Sequence, residues 1–256
     1  MDVNLYKGAF HRPLVAFIEE AVNLKELRLR VSAACSYWMN FEYPAANGAL
    51  VKAISSNTNL DCVVLDGVNF PSSDCKVLAE AAVSGPHLND LKLRCESSDV
   101  FFLRHMAPVA ESSYSIFRLE VWYHNEAEEE YRTVKQVTIR NSGLVIRAAR
   151  FVMGDETSYC ARALELVSGH PKLVEMLQHR AAASCDEVKE MIRGALCRIA
   201  GMNQFMRAAG VIKETVECCV GRDRETQLDE LNEYCWMHIR IYLKVADILD
   251  PPLARI

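Results

Sequence analysis

Leu60-Asp-Cys-Val63-Val-Leu65 and Leu88-Asn-Asp-Leu91-Lys-Leu93 share one pattern: apolar, two residues, apolar, one residue, apolar. It recurs at Leu24-Lys-Glu-Leu27-Arg-Leu29, Ile116-Phe-Arg-Leu119-Glu-Val121 and Val134-Lys-Gln-Val137-Thr-Ile139. The five starts lie 36, 28, 28 and 18 residues apart, so two successive intervals are equal. A repeated interval of this size marks a chain built from stacked supersecondary units. The alternation within each hexad is that of a strand with one buried face. Ten residues ahead of four hexads stand Leu14, Leu50, Leu78 and Met106, in apolar stretches such as PLVAFIEEAV and VLAEAAVSGP. Each unit therefore reads as a short strand, a turn and a helix packed on the strand layer, which makes the fold class α/β.

A 28-residue period with helical second halves resembles the ribonuclease-inhibitor type of leucine-rich repeat, over roughly residues 5 to 154. The resemblance implies a solenoid of about five irregular repeats, with parallel strands and outer helices, that offers an extended face to another macromolecule. It departs from that family three residues past each hexad, where Asn or Cys is replaced by Ser32, Val68, Glu96, His124 and Ser142, and irregular turns are expected. The long first interval implies an insertion between Arg30 and Leu50. The short last one leaves an acidic loop, Glu126 to Glu130, in place of a helix. The chain is expected to open within a repeat, at PLVAFIEEAV, as a fragment of a longer array or a short array with atypical ends.

If the apolar positions point inward, the intervening ones form the partner-binding concave face. These are Glu26, Arg28 and Arg30; Cys62, Val64 and Asp66; Asp90, Lys92 and Arg94; Arg118, Glu120 and Trp122; and Gln136, Thr138 and Arg140. The row after the hexads reads Arg30, Asp66, Arg94, Trp122, Arg140, residue types enriched at binding hot spots. The other reading is a solvated charged face with Trp122 folded back on the flank.

After Gly154 the strand pattern stops, and residues 155 to 225 are expected to form an all-α subdomain. Asp155 caps a helix to about Val167, Gly169-His-Pro171 breaks it, and a short helix follows from Pro171. Ser184 with Glu187 forms a capping box ahead of Val188, Ile192, Ala195 and Ile199. Gly201 and Gly210 bracket another helix, and residues 211 to 220 are expected to continue as helix.

Residues 226 to 256 contain Leu231, Cys235, Ile239, Leu243, Asp247 and Ile248, in the order and spacing of the first half of an F-box. That resemblance implies a helix that docks the Skp adaptor of a Skp/cullin/F-box ubiquitin ligase. Asn232 stands where a proline is commonest, and Ile256 comes before the second half of the motif. On the alternative reading, Leu228, Leu231, Cys235, Ile239, Tyr242, Leu243 and Ala246 are one amphipathic stripe buried against neighbouring helices.

A net charge of -5 gives no general attraction to polyanions, so nucleic acid is not an expected partner. No apolar run is long enough to span a bilayer, and no secretory signal opens the chain. Ten scattered cysteines without a close C-x-x-C pair read as small buried hydrophobes of a reducing compartment, cytoplasmic or nuclear. Neither a phosphate-binding glycine loop nor a nucleophile elbow is present. Cys218, Cys219, Cys235 and His238 make a poor zinc set, because adjacent residues point to different sides of a helix. His105, His124, His170 and His179 are expected at the surface or in caps. No metal, cofactor or catalytic residue is expected, and the chain reads as a non-enzymatic protein-interaction scaffold. The alternative is the ligand-sensing repeat region of a nucleotide-binding immune receptor.

Overall fold

The computed structural model describes residues 1–5, 11–31, 44–85, 87–122, 125–211 and 231–248. Internal contacts divide it into two compact units, Met1–Ser142 and Gly143–Ile256. The first is α/β, with five strands β1 (Asp2–Leu5), β2 (Glu26–Val31), β3 (Cys62–Asp66), β4 (Asp90–Arg94) and β5 (Arg118–Val121). They form one parallel sheet in chain order, β1-β2-β3-β4-β5. The crossovers carry helices α1 (His11–Glu20), α2 (Pro44–Ser56), α3 (Ser72–Ser84) and α4 (Glu96–Ala110).

The hexads lie in register. Leu27 is opposite Val63, Val63 opposite Leu91 and Leu91 opposite Leu119, and the next row runs Leu29, Leu65, Leu93, Val121. Leu27, Leu29, Val63, Leu65 and Leu91 are fully buried, while their neighbours along each strand are exposed or half-buried. On the helices Ile18, Leu50, Leu78 and Met106 meet them in one apolar core. Burial of each such leucine contributes about 1.5–3 kcal/mol relative to exposure.

Two sets of hydrogen bonds repeat with the units. At the strand entrances a single carbonyl takes two amides from the next strand: Lys25 O accepts from Asp61 and Cys62, Asp61 O from Asn89 and Asp90, and Asn89 O from Phe117 and Arg118. At positions 57, 113 and 141 a side chain reaches carbonyls at or beyond the end of an earlier helix. Asn57 Nδ2 donates to Ile18 O at 2.6 Å and to Ala21 O, while Ser113 Oγ donates to Val83 O at 3.1 Å. Asn141 Nδ2 donates to Ser113 O and Ile116 O. These side chains satisfy backbone carbonyls left over where the helices stop. After β3 and β4 side chains at positions other than that of the expected Asn or Cys bond the backbone: Cys95 Sγ donates to Leu65 O, and Ser98 Oγ accepts from Phe70 N at 2.6 Å.

Two expectations are corrected. Asp2–Leu5 forms a strand in register with Arg28–Val31, so the unit opens on a strand ahead of α1. The fifth hexad and the acidic stretch are not strand and loop. Asn125–Ala127 is a 3-10 turn and Glu128–Val152 is a 25-residue helix, α5. Val134, Val137, Thr138, Asn141, Val145, Ala148 and Ala149 share its buried side, with helical spacing. Ile139, which would face the core as a strand residue, is 63% exposed. Glu128, Glu129 and Glu130 lie in the first turn, where the helix dipole favours acids.

The second unit is helical: the end of α5, then α6 (Ser158–Val167), α7 (Pro171–Ala181), α8 (Cys185–Arg198), α9 (Met202–Ala208) and α10 (Glu233–Tyr242). The Ser184–Glu187 capping box is present in both directions, and Gly201 and Gly210 bracket α9. The cap of α6 is Thr157 rather than Asp155, whose Oδ1 accepts from Thr157 N. Pro171 starts α7 with His170 as its cap: the His170 Nδ1 accepts from Lys172 N. The expected helix at 212–220 lies outside the described residues. No helix among the described residues is long and apolar enough to cross a membrane.

Candidate interaction face on the sheet

The side of the sheet away from the helices carries three rows of side chains fixed by strand register. The first runs Glu26, Cys62, Asp90, Arg118; the second Arg28, Val64, Lys92, Glu120; the third Arg30, Asp66, Arg94. Trp122 follows the last paired residue of β5 and is 52% exposed. Its backbone is held from below: Asp99, fully buried on α4, accepts from Trp122 N at 2.9 Å and from Cys95 N at 3.2 Å. The sequence carried no separate sign of this anchor, which needs the α4 start and the β5 end to meet.

Opposite charges pair across and along the strands. Arg28 lies 2.6 Å from Glu26, Lys92 3.0 Å from Glu120, Arg118 3.5 Å from Asp90 and Arg94 3.9 Å from Asp66. The Arg28 hydrogen bond holds Glu26 below the usual carboxylate range, and Lys92 does the same for Glu120. Cys62, between Glu26 and Asp90, has its thiol pushed up to about 11, first by desolvation and then by those two negative charges. It therefore stays protonated at neutral pH and sits 3.7 Å from Glu26 Oε1 as a weak donor.

Thr138 and Arg140 do not belong to this face, and neither does Gln136, because all three are on α5. Thr138 is buried and donates to Lys135 O. Arg140 is a clamp: Nη1 donates to Glu111 O at 2.6 Å, Nη2 to Ser113 O, and the guanidinium lies over the Tyr114 ring at 4.9 Å.

In the helical unit, Trp236 is the buried residue of α10. Its Nε1 donates to Ala200 O at 2.7 Å, and its ring meets Phe205 edge-on at 5.5 Å. Arg240 pairs with Glu165 at a side-chain exposure of 15% and 7%, and lies over the Phe205 ring at 4.5 Å. Glu165 also accepts from Val245 N at 2.6 Å. The stripe expected to be buried is thus turned outward: Cys235 and Ile239 are exposed and Tyr242 is 83% exposed. Leu231, Leu243 and Ile248 are half-buried, and Asp247 accepts from Lys244 N. Asn232 is the α10 cap, accepting from Cys235 N, and Leu228 lies outside the described residues. Tyr234, Met237 and Ile241 are exposed on the same helix.

A cleft of about 460 Å³ in this unit is lined by Phe151, Glu156, Cys197, Arg198, Gln204 and Arg207. Arg198 is engaged there, stacked on Phe151 and donating to Phe151 O at 2.9 Å. Among the described cysteines, Cys75, Cys95 and Cys160 are buried as expected; Cys185, Cys197 and Cys235 are exposed, contrary to that expectation. His105 has a partner the sequence did not signal, Ser72 Oγ at 2.9 Å. No group of three or more metal-ligating side chains occurs among the described residues. Comparisons with protein-family models, curated proteins and solved structures return no match to this chain.

Proposed function

We propose that the chain is a protein-interaction module whose first unit is a short solenoid of the leucine-rich-repeat kind and binds its partner on the outer side of the sheet. The observation that carries this reading is the row built in register, Arg30, Asp66, Arg94, ending at Trp122, whose backbone Asp99 pins while the indole stays exposed. Exposed Trp and Arg combine large contact area with polar groups, the pairing that dominates binding energy at interfaces. Val64, half-buried amid charged neighbours, adds an apolar centre. Within this reading α10 supplies a second contact, to an adaptor of the Skp class. The exposure of Cys235 and Ile239, two positions of the F-box-like pattern, supports it.

The test is capture from a cell extract with the full chain, and with Trp122→Ala and Val64→Glu as matched baits. Loss of the same retained proteins with both variants is expected, with Trp122→Ala weakening binding by about 2 kcal/mol or more. An unchanged set of retained proteins would remove the sheet face as the site. Co-purification of the Skp adaptor, lost on Ile239→Asp, tests the second contact separately.

A further inference from the structure

The three rows of the sheet face are not equally satisfied. In the first two, Asp90 takes Arg118, Glu120 takes Lys92 and Glu26 takes Arg28. In the third, Asp66 stands in register between two arginines and reaches only Arg94, at the long distance of 3.9 Å. Arg30 has no ion pair among the described residues and is exposed. The third row therefore holds an excess of one positive charge, and the exposed indole of Trp122 follows at its end. Strands spaced by about 4.8 Å put Arg30 and Arg94 about 10 Å apart, with Trp122 one strand further on.

Resting on the interaction-module reading, we propose that this row receives an extended acidic segment of a partner protein, lying across the strands. Its two carboxylates sit over Arg30 and Arg94, and a proline or other apolar residue just beyond them packs on Trp122. The spacing selects the conformation. In a β-strand, residues three apart face opposite ways. In a polyproline II segment, residues three apart share a face at about 9 Å, close to the separation of the two arginines. The motif that fits is acid, two residues, acid, then proline, with no acid at the position over Asp66. Aromatic side chains are the usual partners of such segments, because the preformed helix loses little entropy on docking.

The probe is the synthetic peptide Gly-Pro-Glu-Pro-Pro-Glu-Pro-Pro-Gly, capped at both ends and titrated into the full chain at low salt by calorimetry and tryptophan fluorescence. Three controls accompany it: the same peptide with both Glu as Lys, an isomer with the two Glu adjacent, and a twelve-residue oligothymidylate. The expected result is binding by the first peptide alone, weakened about tenfold or more by Arg30→Ala and by Arg94→Ala, with a fluorescence change that Trp122→Phe removes. Arg30→Glu should shift preference toward a peptide with Lys at one of the two positions. Three outcomes overturn the proposal: no binding at millimolar peptide, binding unaffected by Arg30→Ala and Arg94→Ala, or equal binding of the oligonucleotide with the same residue dependence. If captured partners are lost with Trp122→Ala and Val64→Glu but kept with the two arginine variants, the interaction reading survives and the acidic-segment proposal alone falls.

Discussion

The ion pairs of the sheet face and one pair of the helical unit, Arg240 with Glu165, differ in how far water reaches them. On the sheet, Glu26, Asp66, Asp90 and Glu120 meet their cations at the partly exposed surface, where water screens them and each pair is worth under about 1 kcal/mol. In the helical unit, Glu165 and Arg240 are nearly sealed, and the carboxylate also satisfies the Val245 amide. The sheet unit is held by rows of leucine and valine in register, so its fold does not depend on its surface charges. The C-terminal helix has one large apolar anchor, Trp236, and relies on a buried charge pair to fix its orientation.

The cysteines give the widest expected contrast between the two units. Burial pushes Cys75 and Cys95 up to about 12, and Cys62 to about 11, so the thiolate is scarce at all three. Cys185, Cys197 and Cys235 are exposed. Alkylation of the folded chain at pH 8, read site by site by mass spectrometry, should label the exposed set about a hundredfold faster than Cys62, Cys75 and Cys95. Comparable rates at Cys62 and Cys185 would break the contrast.

The buried charge pair is tested by Glu165→Ala. Removing one member of a buried pair strands the other, at a cost of about 3–5 kcal/mol. Hydrogen exchange in Glu233–Tyr242 should accelerate accordingly, while amides of the five strands keep their protection. A loss of protection worth less than about 1 kcal/mol would mean that Arg240 finds adequate partners elsewhere.

The smallest effect is expected at Lys92 and Glu120, where a double-mutant cycle should return a coupling below about 1 kcal/mol. Glu120 titrates below its ordinary value of 4.5 because Lys92 bonds its charged form. Its contribution is therefore complete above the unfolded carboxylate value and disappears as the pH falls through the depressed native one. A coupling that persisted at pH 2 would contradict an ionic origin.

Much of the sheet unit was legible because its core is written in local alternation that repeats. β1 escaped notice because Val3 and Leu5 offer only two apolar positions, too few to stand out without the partner strand. Val134–Ile139 misled because its β-branched residues and its spacing suit either period. The choice of helix depends on Asn141, Val145 and Ala148 continuing the same face beyond the hexad. On α10 the apolar residues outnumber what one face can bury, so composition could not say which side docks. That was settled by Trp236 finding Phe205 and Arg240 finding Glu165, contacts between distant parts of the chain. On the outer side of the sheet, strand register aligns the third row from Arg30 to Arg94, Trp122 comes just past the last paired residue, and α5 removes Arg140 from the row.

The paired amides at the strand entrances bear on how this chain could change length. Lys25 and Asp61 stand 36 residues apart, Asp61 and Asn89 only 28, yet each junction makes the same two bonds. The junctions thus govern where each crossover begins and ends but leave its length open. An engineer could lengthen a crossover, as the one from β2 to β3 is already longer than the one from β3 to β4, while a single residue added between Asp61 and Cys62 would throw the downstream rows out of step.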